Sequence, residues 1–370
     1  MTRLSKLPPG MRYYLGAEAR LRRLVEDTAM SVFEGWSYEE VLTPSVDYYA
    51  LFEQGMGQTE AQTAFRFTDS DGEMLSLRPD VTSSVARVAA TLLADRERPL
   101  RLCYAAPVFR RQQQSHAEWR RESTQLGCEL IGVSGEAADL EVLLVAAEIL
   151  KSIGLEHSFC ITINDVGIFN GLLNELNIGP QSQEALRRLI DTRDRGELKT
   201  FLERNCDNTS TREALFKLAE LTGNQNVLAE ARSVINNEDS VAALDKLGRL
   251  WEVIESLGLE SSFEIDLADV SSLDYYTGLS FKVFVRGIGY RVGRGGRYDG
   301  LTSNFGSSEP AVGFVLSLDS LVEVLGQGTF INGRTPEEPR SIEPGELPET
   351  FRSAVRERSK NQRIRIEPTS

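Results

Sequence analysis

Apolar residues recur along this chain at two spacings. Leu21, Leu24, Val25, Ala29, Val32 and Phe33 fall three and four apart, which predicts an amphipathic helix over 16–33, ended by Gly35. Glu40-Val41-Leu42-Thr43-Pro44 reads as a short strand, and its proline, lacking a ladder donor, assigns it to an edge or a bulge. Residues 65–68 and 74–77 flank Asp71-Gly72, a hairpin signal. Residues 78–82 close the second strand and open a helix carrying Val85, Val88, Ala89 and Leu92. Strand pieces at 101–104 and 108–111 surround Pro107, a polar loop covers 112–121, and 125–132 is the return strand.

The second half repeats the theme. An apolar helix over 138–149 stops at Gly154 and leads to a strand at 159–163. From about 167 to 259 every apolar repeat is helical, including Leu186, Leu189, Ile190, Leu244, Leu247 and Trp251. A strand at 263–267 ends this helical insert. Phe281, Val283 and Val285 alternate with Ser280, Lys282 and Phe284 as a half-buried strand. After a turn at 286–289, Tyr290 and Val292 start its return, and Gly293, Gly295 and Gly296 permit close backbone approach. An apolar strand at 311–318 enters a helix with Leu321, Val322 and Leu325. The last 40 residues, rich in Pro, Glu, Arg and Ser, are expected to be mostly disordered, with one short helix near 351–357.

Composition narrows the classes. With 370 residues, 41% of them hydrophobic, the chain can bury a large core as one big domain plus an insert or appendage. No run of 18 apolar residues predicts a membrane span, and the N-terminus lacks the apolar core of a signal peptide, so a cytoplasmic protein is expected. The net charge of −14 repels phosphate backbones and weighs against tRNA as a partner. Cys103, Cys128, Cys160 and Cys206 read as buried free thiols, and His116 and His157 alone suggest neither a metal centre nor histidine-based catalysis. No cofactor is expected.

Several polar groups sit where ligand chemistry is available. Asp274, Tyr275 and Tyr276 precede the 280–292 hairpin; an acid and two phenols suit a small amino acid, or else a tyrosine pair in the core. Asp80 and Thr82 stand at a helix N-terminus, as ligand contacts or as caps. Gln125 and Glu129, four apart on a strand, share one face, which in most strands faces solvent.

Leu273-Asp274-Tyr275-Tyr276-Thr277-Gly278 followed by Gly295-Gly296-Arg297-Tyr298-Asp299-Gly300-Leu301 closely resembles the histidine-specific signature of histidyl-tRNA synthetases and their non-synthetase relatives. The helix and Pro-ended strand near the N-terminus resemble motif 1 of class II synthetases, which builds a dimer interface. Leu77-Arg78-Pro79-Asp80-Val81-Thr82 resembles the amino-acid-binding loop, and the strands around Arg110 and Gln125 resemble motif 2. The resemblance covers roughly 8–325. It implies an α+β fold, a class II synthetase-like antiparallel sheet flanked by helices, with a core at 1–166 and 260–325, an insertion at 167–259 and a tail at 326–370. It also implies a histidine pocket of Asp80, Thr82, Arg110, Gln125, Glu129, Tyr275 and Tyr276.

The positions for adenylation chemistry differ. Where synthetases of this family carry phosphate-clamping arginines, this chain has Ser271 and Ser320; Ser317 replaces a motif 3 glycine and Gln112 a motif 2 acid. Losing one donor to a transition-state oxyanion costs about 10²–10³ in rate. The tail is also too short for an anticodon-binding domain. This combination resembles the ATP phosphoribosyltransferase regulatory subunits, non-catalytic paralogues of the synthetase. That branch implies a short-form catalytic partner, L-histidine as feedback ligand, and a dimer within a hetero-octamer in the first step of histidine biosynthesis. The alternatives are a divergent synthetase-like enzyme and a histidine-binding regulator of another target.

Overall fold

A computed structural model describes residues 6–111, 120–270, 276–327, 340–342, 347–360 and 362–366. Residues 1–324 form one compact unit and 325–370 a second.

The first unit is built on a nine-stranded sheet. From one edge its strands run Glu39–Glu40, Leu100–Phe109, Glu122–Ile131, Ala311–Ser317, Gly293–Arg297, Leu279–Val285, Phe159–Asp165, Phe263–Asp266 and Thr222–Gly223. The six from Leu100–Phe109 to Phe159–Asp165 are mutually antiparallel. Parallel pairings join Glu39–Glu40 at one side and Phe263–Asp266 at the other, so the sheet is mixed rather than purely antiparallel. The antiparallel order lets residues far apart in sequence face each other: Gly313 stands beside Glu129, and Glu129 beside Leu102.

Helices Gly16–Gly35 and Glu136–Ser152 cover the sheet, with Val25, Ala29, Val32 and Phe33 buried on the first and Val142, Leu143, Val145 and Ala146 on the second. Phe33 meets Phe314 of the sheet with ring centroids 6.0 Å apart. Six helices lie between Val166 and Ser256, where an all-helical stretch was expected, but strand Thr222–Gly223 among them joins the main sheet; Leu186, Ile190, Leu215, Leu247 and Trp251 are buried there. The Asp165, Asp194, Asn208 and Asn237 side chains each accept a backbone N–H at the start of one of these helices.

Among the boundaries that differ from the sequence reading, two bear on the site. Leu100–Phe109 is one continuous strand through Pro107. The Pro107 carbonyl accepts Arg78 Nε, and the Phe109 N–H donates to the Arg78 carbonyl, so this side of the strand faces outward. The donor that proline lacks is on the side with no partner strand. The return strand begins at Gly293, after Tyr290 and Val292.

A three-stranded antiparallel sheet, Val46–Tyr48, Met74–Leu77 and Arg66–Thr68, stands apart from the main one. The expected hairpin closes it, with Gly72 at φ 91° in the turn. Arg78, 3% exposed, fastens its end. Besides Pro107, its guanidinium donates to the Thr43 carbonyl at 2.6 Å, Thr43 Oγ1 at 3.0 Å and the Pro44 carbonyl at 3.3 Å.

In the second unit Arg340–Ile342 pairs in parallel with Ile364–Ile366, and helix Leu347–Arg358 connects them. The segment expected to be mostly disordered therefore holds a strand–helix–strand among its described residues, and the helix includes the expected 351–357. Strands of three residues are too short to show periodicity in sequence, and a parallel pair requires a long crossover.

The tightest approach in the sheet is at Gly313, where a Cβ would collide with the Glu129 carboxylate and the Cys128 carbonyl. Gly313→Ala is expected to cost about 1–3 kcal/mol by overpacking, measured as a lower urea midpoint at unchanged slope.

Candidate functional site

Glu129 is the centre of the site. It is 1% exposed, on strand Glu122–Ile131, with Gly313 leaving room for its carboxyl on one side. On the other, Gly127 leaves room for the Tyr104 ring, whose hydroxyl donates to Glu129 Oε1 at 3.0 Å. The Tyr298 hydroxyl donates to Oε2. Thr82 Oγ1 is 3.4 Å from the Tyr104 hydroxyl. Burial and the nearby Asp80 charge push the Glu129 carboxyl up to about 8, while the Tyr298, Thr82 and Tyr104 hydroxyls pull it down.

Asp80 and Thr82 reach the site from the start of helix Thr82–Ala90. Asp80 Oδ2 also accepts the Ser83 N–H at 3.3 Å, so the capping role and a place in the pocket coexist. Asp80, Thr82, Glu129 and Tyr276 line one pocket with Arg294 and Tyr298. Gln125 and Arg110 lie elsewhere, in a larger adjoining pocket. Gln125 is 7% exposed and its Oε1 is buried with no hydrogen-bond donor, while Arg110 Nε donates to the Pro79 carbonyl at 3.0 Å. Arg294 and Val315 belong to both pockets. Of the seven expected residues, four line one pocket and two its neighbour. Tyr275 lies outside the described residues, with Asp274, Ser271 and Gln112.

Gln125 and Glu129 share a face as expected, but that face is buried. Tyr104, Tyr298 and Arg294 escaped the residue-by-residue reading. Tyr298 had a signal, since it stands within the Gly-Gly-Arg-Tyr-Asp run. Tyr104 had none, because only the 104–127 register brings it to Glu129.

The phosphate space also differs from expectation. Ser317 and Ser320 line the larger pocket, with Ser320 Oγ donating to Ser317 Oγ at 2.9 Å. Yet Arg110, Arg120, Arg121, Arg291 and Arg294 line it too. The cations are absent from position 320 but present from other parts of the chain. Among the described residues no group of three or more His, Cys, Asp or Glu is placed to hold a metal ion.

The family model for histidyl-tRNA synthetase matches residues 10–321. The ATP phosphoribosyltransferase regulatory subunit of Moorella thermoacetica is 37% identical over 322 residues, 87% of this chain and 82% of that protein. The regulatory subunit of Halothermothrix orenii is 34% identical over 333 residues, 89% of this chain and 78% of that one. A solved structure of an ATP phosphoribosyltransferase regulatory subunit/histidyl-tRNA synthetase from Bacillus halodurans superposes with a TM-score of 0.87 at 30% identity, covering 99% of this chain and 93% of the other. The histidyl-tRNA synthetase of Nostoc, 21% identical with a TM-score of 0.79 over 99% of this chain and 86% of its own, shares the fold.

A buried carboxyl with a raised pKa makes stability depend on pH. The folded state holds the Glu129 proton more tightly than the unfolded chain, whose group titrates near 4.5. Its stabilisation is therefore complete below that value and lost as pH rises towards 8. Glu129→Gln is expected to flatten the fall in urea-unfolding free energy between pH 5 and pH 8 relative to the wild type. An unchanged slope would mean that Glu129 is ionised throughout.

Proposed function

The chain belongs to the histidyl-tRNA synthetase family and, within it, to the ATP phosphoribosyltransferase regulatory subunits; on that premise we propose that it binds L-histidine and transmits this to a short-form catalytic subunit. The observation that carries the reading is the Glu129 carboxyl buried between two tyrosine hydroxyls, with Asp80 beside it. Glu129 would accept an imidazole N–H, Asp80 and Gln125 Oε1 the α-ammonium, and Tyr276 would wall the ring. Arg294, which lines both pockets, and Arg110, on the neighbouring one, would face the α-carboxylate.

The protein itself performs no chemistry in this reading. It acts in the cytoplasm on the first step of histidine biosynthesis, joining ATP to a phosphoribosyl donor, and tRNA is not a partner. Feedback then requires that histidine bind the inhibited complex more tightly than the active one, with reciprocal coupling.

Self-association has a surface available. Val46, Tyr48 and Phe67 share one face of the small sheet by register and are 40%, 52% and 42% exposed. A second copy of the chain covering this face would bury them, as the pair within a hetero-octamer.

Mixed with a short-form catalytic subunit, the wild type is expected to raise the rate of phosphoribosyl-ATP formation and make it histidine-sensitive. Glu129→Gln should keep the activation and weaken calorimetric histidine binding about 10–100-fold, the loss of one charged hydrogen bond. No activation and no co-elution with the catalytic subunit would defeat the reading. Separately, Tyr48→Asp is expected to shift the isolated chain from dimer to monomer in sedimentation velocity, with histidine affinity retained per protomer.

A further inference from the structure

Two helix faces of this chain leave apolar side chains in solvent, and the charges around them are opposite. Helix Leu347–Arg358 of the second unit turns its small residues inward: Thr350 and Ala354 are buried, whereas Phe351 and Val355 are 54% and 67% exposed. Four residues apart, Phe351 and Val355 form one stripe on the outward side. Arg352 and Arg356, both exposed, run beside it. Residues 347–366 hold six basic residues and two acidic ones, a local reversal of sign on a chain of net charge −14. The other face lies at the end of helix Glu238–Ser256 in the first unit. There Val253 and Leu257 are 39% and 50% exposed, and the Leu257 N–H donates to the Val253 carbonyl, which sets the two side chains one turn apart. Residues 250–262 carry Glu252, Glu255 and Glu260 and no lysine or arginine, and Glu252 and Glu260 are exposed. No basic residue stands in the last turn of this helix, so its carbonyl end adds to the negative potential.

We propose that the Phe351–Val355 face of one copy of the chain docks on the Val253–Leu257 face of a second copy. Each stripe spans one helical turn, so the two meet as short apolar ridges of matching length, with Arg352 and Arg356 against Glu252 and Glu260. Opposite charge at the rim sets the register and rejects the pairing of like faces, because two basic or two acidic rims repel. A nucleic acid is the less favoured occupant, since a phosphate backbone would leave Phe351 and Val355 without an apolar cover. The contact joins two different patches, so each added copy still offers one face of each kind, and the assembly either grows or closes into a ring. One helix face against another falls short of a stable interface, so the contact is weak, appears at high concentration and loosens with salt. It is separate from the pairing through Tyr48 and does not rest on the histidine reading.

The test is sedimentation velocity of the full chain carrying Tyr48→Asp, from micromolar to near-millimolar concentration. If Tyr48 does not carry the small-sheet pairing, the same comparison starts from the dimer. The weight-average sedimentation coefficient is expected to rise with concentration, and to rise less at high salt. Adding Arg352→Glu with Arg356→Glu should weaken this association at least tenfold, and so should Glu252→Lys with Glu260→Lys. All four positions are exposed, so neither pair of changes disturbs the core. An equimolar mixture of the two reversed proteins should recover the association, because opposite rims then meet only between unlike copies. Phe351→Ser should weaken it at unchanged charge, which separates docking from general attraction between charges. No rise with concentration, a rise indifferent to both reversals, or loss without recovery on mixing would overturn the proposal. Saturable binding of a single-stranded oligoribonucleotide by a chain that does not self-associate, lost with Arg352→Glu and Arg356→Glu, would overturn it in favour of a nucleic acid.

Discussion

The carboxyl of Glu129 is the constraint around which the first unit is arranged. A carboxylate taken out of water without a cation costs several kcal/mol, so the group shifts its pKa and recruits hydroxyls. Two tyrosines supply them, one from the strand on its left and one from the turn after Gly293–Arg297. Tyr104 can approach only because Gly127 has no side chain, and Gly313 leaves room for the carboxyl itself. The hydrophobic layer around them, with Val85, Leu102, Val108, Ile131 and Leu301 buried, holds the ring positions and keeps water from the group. The site and the core are thus one packing problem.

Much of this could be read from the chain alone, and the reasons for the rest are physical. Helical spacing located the helices at 16–35 and 136–152 because each has one face against the sheet. The fold class and the family followed from separated motifs in order, which no single spacing could supply. The burial of Gln125 and Glu129 was not legible, since alternation says which residues share a face but not whether another layer covers it. Tyr104 was invisible for a related reason, as its partner is 25 residues away on the neighbouring strand. In the second unit the strands are three residues long, below the length at which a period declares itself.

The arginine-lined space shows a different limit. Matching one motif position at a time compares side chains at fixed places, and at position 320 it correctly finds a hydroxyl. Charge in a cavity, however, is a sum over every element that reaches it. Arg291 and Arg294 lie outside the motif positions compared and still face the same volume as Ser317 and Ser320. Loss of a residue from a family position and loss of its electrostatic contribution are separate events, and only the three-dimensional arrangement distinguishes them.

Arg78 has a mechanical consequence. Its guanidinium has no carboxylate to follow and is clamped by carbonyls of Thr43, Pro44 and Pro107, two residues upstream of Asp80. Such a clamp has little slack, because these three acceptors are main chain and cannot rotate away. Arg87, on the helix Thr82–Ala90 that follows, is tied to Asp47 at 3.0 Å. The Arg78 hydrogen bonds and the Arg87–Asp47 pair together fix the spacing between the end of the small sheet and Asp80 in the Glu129 pocket.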